Sequence, residues 1–180
     1  MTITRMSKND RTQQIIASAF EVFIEKGYRA STTLDIAKAA HISEVTLFRY
    51  FSSKHELFMA GVQPVIDEAL TIMSNPDGLS LSSEDLTRLI LNKVNFLSKH
   101  KGMIKLILNE QSLNQLGENI VEKMVHNLSE AMIGYGFKAY HPYYVRLLMG
   151  HFLSFLYAPS LEDNQIRDFT ERLVLILLER

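Results

Sequence analysis

Apolar residues recur at three- and four-residue intervals along most of this chain. Between 12 and 26, Ile15, Ile16, Ala19, Phe20, Val22 and Phe23 form one stripe, which predicts an amphipathic helix. Gly27 follows the last of them and Tyr28 comes next, a pair suited to a left-handed helix cap with an apolar contact just beyond it. Thr32 and Thr33 each offer an N-cap, and Asp35 sits where a carboxylate favours the first helical turn. Together they predict a short helix over Leu34–Ala40 with Ile36, Ala37 and Ala40 inward. His41-Ile42-Ser43 interrupts the rhythm, and Ser43 can cap a second short helix, Glu44–Phe51. Two such short helices bury little by themselves, so the first helix must cover them.

Ser53 and Glu56 have the spacing of a capping box and open a fourth helix with Leu57, Phe58 and Val62 apolar. Pro64, after Gly61, is expected to kink or break it, although the rhythm resumes over Val65–Met73. Asn75-Pro76-Asp77-Gly78 is a strong turn signal within an obvious linker, residues 74–83. Periodic segments follow near 83–99, 102–115, 118–133, 142–157 and 163–179, each bounded by Gly, Pro or a polar cluster. No segment of useful length alternates with a period of two, and no repeat or low-complexity tract is present. The pattern predicts an all-α protein.

Composition narrows the class. Of 180 residues, 47% are apolar and 22% charged, and the formal net charge is −1, which excludes a wholly disordered chain and a polybasic tail. The absence of Cys excludes disulfide scaffolds, thiol nucleophiles and Cys-ligated zinc. The polar N-terminus does not read as a signal peptide, and no apolar run approaches the ~20 residues of a bilayer span. A soluble, cytoplasmic protein with no membrane partner is expected. Residues 1–60 carry eight Lys/Arg against six acids, while the rest of the chain carries 11 against 14. That asymmetry gains meaning only from its placement.

A helix followed by a short helix, a turn and a second short helix is the unit that sets its last helix in a DNA major groove. Small residues at the crossing (Ala37, Ala40) and an apolar corner (Ile42) meet its packing needs. The outer face of the last helix offers Glu44, Val45, Thr46, Phe48, Arg49 and Tyr50. The stretch from Arg11 to Phe58 resembles the DNA-binding domain of the TetR family of bacterial regulators. The matching residues are Ile15-x3-Ala19-x3-Phe23-x3-Gly27, Thr32-Thr33-x2-Ile36-Ala37-x2-Ala40, Ser43-x2-Thr46-Leu47 and Tyr50-Phe51-x2-Lys54-x2-Leu57.

The resemblance implies an N-terminal helix-turn-helix head, residues 1–56, and a C-terminal helical body for effector binding and dimerisation, residues 57–180. It implies a ligand-responsive repressor that binds a palindromic double-stranded operator as a homodimer, without a cofactor. By position, Thr33 and Lys54 resemble phosphate contacts, and Thr46 and Tyr50 phosphate or base-edge contacts. Arg49 is the candidate for base readout, because a guanidinium can pair both acceptors of guanine, and Glu44 can accept from cytosine N4 or simply favour the helix N-terminus. Two positions depart from the family pattern. His41 stands where Gly usually supplies a positive φ, and Phe48 stands where a Tyr hydroxyl often meets phosphate.

In the body, residues 143–157 are apolar almost all round and 173–178 form an unbroken apolar run, more than one small domain readily covers. Gly150, Ser154 and Ala158 form a small-residue stripe suited to close helix approach, so these three, with Leu173 and Leu177, are the candidate dimer contacts. Polar groups on apolar faces, Glu110, Gln111, Tyr144 and His151, are the candidates to line a pocket for a small, mostly apolar effector. An enzyme is not expected: the six His form no metal-binding spacing, and neither a nucleophile elbow nor a Gly-rich phosphate loop occurs.

Overall fold

The structure is a computed structural model describing residues 7–74, 82–110, 114–134, 142–158 and 161–178. The expected turn at Asn75–Gly78 lies outside them. The described residues form α1 (Lys8–Lys26), α2 (Thr33–Ala39), α3 (Glu44–Tyr50), α4 (Lys54–Ser74), α5 (Ser83–Lys99), α6 (Lys101–Asn109), α7 (Asn114–Gly134), α8 (Pro142–Tyr157) and α9 (Asp163–Leu178), with no strand among them. The protein is all-α.

The helix ends follow local chemistry. α1 begins seven residues before its apolar stripe because the Ser7 side chain accepts from the Asp10 N–H and caps the polar turns between. The capping box at α4 is only half as expected. The Glu56 N–H donates to Ser53 Oγ at 3.1 Å, but the Glu56 carboxylate reaches past Ser53 to the Ser52 N–H at 2.6 Å. α4 is neither broken nor split at Pro64, which lies inside one continuous helix. The proline removes one intrahelical donor, and the flanking turns carry the helix across the gap.

Met1–Ile66 with Gly102–Gly117 form one compact unit, and Asp67–Lys101 with Glu118–Arg180 a second. In the first, α1 buries Ile15, Ala19 and Phe23 completely, facing Ile36, Leu47 and Phe58 from the elements it covers. Phe58 is the hub. Its ring stacks on Phe20 at 5.6 Å, meets Phe23 edge-on at 5.6 Å and lies 4.8 Å from Tyr28. Burying each such ring contributes about 1.5–3 kcal/mol, with a further increment of about 0.5–1.5 kcal/mol for each well-oriented pair. α4 comes closest to α1 at Gly61, where a Cβ would fall 2.1 Å from Phe20 Cε2, so this crossing admits only glycine at its present separation. Gly102 of α6 lies close to Ile24, whose Cδ1 would be 2.9 Å from a Cβ there.

In the second unit, α8 and α9 both pack on α5. Leu86, Ile90, Val94 and Leu97 line one face of α5, opposite Leu148, Phe152 and Leu156 of α8 and Leu173, Val174 and Leu177 of α9. Leu173 and Leu177, candidates for a dimer contact on sequence, are therefore interior residues of the protomer. The run they belong to is helical, so its other members face out: Leu175 is 57% exposed and Ile176 51%.

His151 is buried between α8 and α9 among Phe152, Phe155 and Phe169. Its Nε2 lies 3.3 Å from Thr170 Oγ1. That hydroxyl donates its own proton to the Ile166 carbonyl, so the ring must donate from Nε2. Nδ1 is then a bare lone pair, buried and without a partner among the described residues. Protonation would place an N–H there with no acceptor, and burial accordingly pulls the His151 pKa down to about 4.

An unfolded histidine titrates near 6.5, so below that pH the unfolded chain binds a proton that the folded chain refuses. The stability contributed by neutral His151 is complete above that value and is lost as pH falls toward about 4. Urea denaturation at pH 7 and at pH 5 should show a loss on the order of 2 kcal/mol. His151→Phe should flatten that dependence; an unchanged slope in the variant would assign it to other groups.

Candidate nucleic-acid interface

α2 and α3 are too short to hold themselves, and side-chain caps fix both starts. Thr32 Oγ1 accepts from the Asp35 N–H and the Asp35 carboxylate accepts from the Thr32 N–H, a complete capping box. Asp35 also takes a hydrogen bond from the Lys26 ammonium at 2.9 Å, and these bonds, the one from Lys26 foremost, hold its carboxyl down to about 2. The expected cap is thus Thr32, with Thr33 the first helical residue. Ser43 caps α3 by accepting from the Thr46 N–H, and the two hydroxyls lie 2.8 Å apart.

Between the helices, His41 takes φ 55°. The Ile42 N–H reaches the Ala37 carbonyl at 3.0 Å and the His41 N–H reaches Lys38 at 3.1 Å, the two bonds of a Schellman ending. The conformation expected of glycine is therefore held by a histidine, at about 1–2 kcal/mol. Ala37 and Ala40 are buried at the crossing.

This turn sets the outer face of α3. Val45 is 75% exposed and Phe48 48%, unusual for large apolar side chains on so short a helix, and Arg49 stands exposed beside them with no ion pair among the described residues. Glu44, Thr46 and Tyr50 are half-buried, whereas Leu47 and Phe51 point into the core. Thr33 and Glu44 are joined by a short hydrogen bond from the threonine hydroxyl to the carboxylate, tying the start of α2 to the start of α3. Their polar atoms thus support the turn as well as facing outward.

Lys54 is more engaged than its sequence position suggested. Its ammonium donates to the Tyr28 carbonyl at 2.8 Å and the Ser31 carbonyl at 2.9 Å, and lies 4.6 Å from the Tyr28 ring centre. Desolvation lowers its pKa, opposed by the charge of Glu110. Lys54 therefore clamps the loop between α1 and α2 to the start of α4.

Glu110 belongs to the same unit. Its Oε2 accepts from the Arg29 N–H at 3.3 Å, and its charge, second to burial, raises the Tyr28 pKa. The expected effector residues are divided between the two units. Glu110 braces the loop of the first unit, His151 is packed against Thr170, Tyr144 is half-buried on α8, and Gln111 lies outside the described residues. The second unit does hold an apolar cavity, walled by Leu86, Ile90, Lys93, Met132, Leu148 and Phe152 among others, and none of Glu110, Tyr144 and His151 lines it. Lys93 escaped sequence reasoning. The available signal was its register, three residues after Ile90 and seven after Leu86, which places a lysine on an inward face.

On α8, Gly150 is exposed with no heavy atom within 4 Å of where a Cβ would stand. Ser154 is half-buried, its hydroxyl donating to the His151 carbonyl at 2.6 Å, and Ala158 is exposed.

The His41 geometry carries its own test. His41→Gly should relieve left-handed strain and raise stability by about 1 kcal/mol, less the added freedom of an unfolded glycine. Thermal denaturation reads this, and a lower midpoint would mean that the imidazole stabilises the turn in another way.

Residues 15–60 match the family model described as bacterial regulatory proteins, tetR family. The chain is 36% identical over 67 residues to the HTH-type transcriptional activator FasR of Mycolicibacterium smegmatis, a match covering 37% of this chain and 31% of that one. It is 28% identical over 123 residues to an uncharacterized HTH-type transcriptional regulator of Bacillus subtilis, YvkB, covering 68% and 64%. The chain thus spans between about a third and two thirds of these curated relatives. Whole-chain similarity is seen in folds. A TetR-like transcriptional regulator from a Rhodococcus species superposes with TM-score 0.72 at 21% identity, over 98% of this chain and 100% of that one. A transcriptional regulator from Aquifex aeolicus superposes with TM-score 0.74 at 14% identity, over 93% and 99%. The head, residues 15–60, thus matches the TetR family of bacterial regulatory proteins, and the chain as a whole shares the fold of these solved structures.

Proposed function

We propose that this protein is a cytoplasmic, ligand-responsive repressor that binds a palindromic operator as a homodimer, residues 1–56 serving as the reading head and 57–180 as the effector-binding and dimerisation body. The observation that carries the reading is the outer face of α3, where Val45, Phe48 and Arg49 stand exposed on a helix capped and locked at both ends. Arg49 reads a guanine, and Val45 and Phe48 meet thymine methyl groups in the major groove. Thr33, Thr46, Tyr50 and Lys54 engage the backbone, and Glu44, already bonded to Thr33, positions α3. Repression is the mode that the family resemblance implies, and FasR, named an activator, marks the other direction.

Dimerisation is supported by the surface of the second unit. Tyr143, Leu147, Leu153 and Tyr157 on α8 and Phe169, Leu175 and Ile176 on α9 are all exposed, an apolar patch that a second copy would cover. Two heads joined through it meet half-sites about 34–36 Å apart on one DNA face. No described helix is long and apolar enough to cross a membrane.

Arg49→Ala should weaken binding to DNA from the protein's own upstream region by roughly 1–3 kcal/mol and relax preference at one position of each half-site. Lys54→Ala should weaken all sequences alike and also lower thermal stability, because it frees the Tyr28 and Ser31 carbonyls. Fluorescence anisotropy across a randomised half-site library separates the two; the same uniform loss in both would remove Arg49 from base readout. A reporter gene under the upstream region, with and without the protein, gives the direction of regulation.

Gly150→Arg tests assembly without disturbing the protomer, since its side chain starts in open space. Light scattering should show a folded monomer with weakened operator binding. A well-folded dimer of unchanged affinity would move the interface off this face of α8.

A further inference from the structure

One peptide group of the first unit lies between two opposite charges. The Tyr28 carbonyl accepts from the Lys54 ammonium at 2.8 Å. The N–H of that same peptide, on Arg29, donates to Glu110 Oε2 at 3.3 Å. A trans peptide directs its C=O and its N–H to opposite sides, so the ammonium and the carboxylate hold the plane from either side. The Ser31 hydroxyl also donates to the Tyr28 carbonyl, at 2.8 Å, which engages both lone pairs of that oxygen. Bonds accepted at the oxygen polarise the amide and strengthen its N–H as a donor, so the Lys54 and Glu110 bonds support one another. The carboxylate lies so near the loop that a Cβ on Gly27 would stand 3.3 Å from Glu110 Oε2. Its charge also favours the Lys54 ammonium, against the burial that lowers the lysine pKa.

We propose that Glu110 is a positioning residue for DNA binding, acting through the Tyr28–Arg29 peptide to hold Lys54 where it meets phosphate. A lysine ammonium is by nature a point charge on a flexible stem. Lys54 uses two of its three N–H donors on the Tyr28 and Ser31 carbonyls, at 2.8 and 2.9 Å, so where those carbonyls stand sets the direction of the third. Glu110 fixes the first carbonyl from the far side of its own peptide. Ser31 directly precedes Thr32, the cap of α2, so the same loop also sets the start of the helix that carries Thr33. Bare electrostatics predicts the opposite sign for Glu110, since an anion beside a phosphate-binding surface repels DNA. A loss of affinity on removing this carboxylate is therefore diagnostic of positioning. The inference rests on the DNA-binding reading, in which Lys54 engages the backbone.

The test is fluorescence anisotropy of the full chain over a sodium chloride series, on a duplex from the protein's own upstream region and on a random-sequence duplex of equal length. Glu110→Ala should bind both about fivefold more weakly. Its plot of log affinity against log salt should be shallower by about one unit, the share of one phosphate contact. Glu110→Gln keeps an acceptor for the Arg29 N–H and should stay within about twofold of the parent. On a Lys54→Met background, Glu110→Ala should cost less than about twofold, because the residue it acts through is gone. Circular dichroism melts verify that each variant is folded, and the glutamine variant keeps the question open to test if the alanine variant is not. Parent-like or tighter binding by Glu110→Ala, a loss with an unchanged salt slope, a loss that glutamine does not restore, or an equal loss on both backgrounds would overturn the role of Glu110 while leaving DNA binding intact. A parent chain that bound neither duplex would instead remove the DNA-binding reading itself, and this role with it.

Discussion

The close passage of Gly61 over the ring of Phe20 is the constraint on which the first unit depends. A Cβ at Gly61 would overlap the ring, so α1 and α4 meet at a separation that only glycine permits. That separation lets Phe58, one turn earlier on α4, reach Phe20, Phe23 and Tyr28 together. Tyr28 in turn presents its carbonyl to Lys54 and its ring to the same ammonium. The loop leading into α2 is thereby held from one side by α4 and from the other by Glu110 at the end of α6. The position of α2, and through it of α3, follows from this chain of contacts.

The reading head is built with little slack. The N-cap of each of α2 and α3 is a side-chain oxygen on a backbone N–H, and the corner holds a histidine in a glycine conformation. Strain at one residue is tolerated when the two bonds of the Schellman ending and the buried alanines determine the corner around it. The result is a short helix whose buried side is one leucine wide and whose free side carries Val45, Phe48 and Arg49. Rigid presentation lowers the ordering cost of binding, which suits the role proposed for this surface.

The second unit inverts this economy. Its interior contains polar groups, Lys93, His151 and Thr170, while leucine, isoleucine and aromatic residues lie on its outside. Thr170 takes one nitrogen of His151, the other has no partner among the described residues, and burial holds the ring neutral. Lys93 donates to the Ile72 carbonyl, and only its carbon stem lines the apolar cavity. The exterior apolar patch calls for a partner the size of a protein.

Helix order was legible in the residues themselves, and so were those boundaries that a cap marks. Caps, breakers and apolar rhythm act within a few positions, so Ser43, Gly27 and the stripe from Ile15 to Phe23 announced their elements, and the spacing over Arg11–Phe58 announced the head. The positive φ at His41 could be anticipated for the same reason, being a property of one turn. Distance along the chain hid the rest. Lys54 bonds carbonyls 26 and 23 residues away, Lys93 one 21 residues away and Glu110 an N–H 81 residues away, and no local pattern encodes such partners. The apolar run at 173–178 was equally mute about direction, because a helix with apolar residues all round has no preferred face until its neighbours choose one. Packing on α5 turned Leu173 and Leu177 inward and left Leu175 and Ile176 to solvent. Sequence alone determined what each segment would become; tertiary packing decided which side chains would meet, because burial and hydrogen bonding are settled between segments that the chain itself keeps far apart.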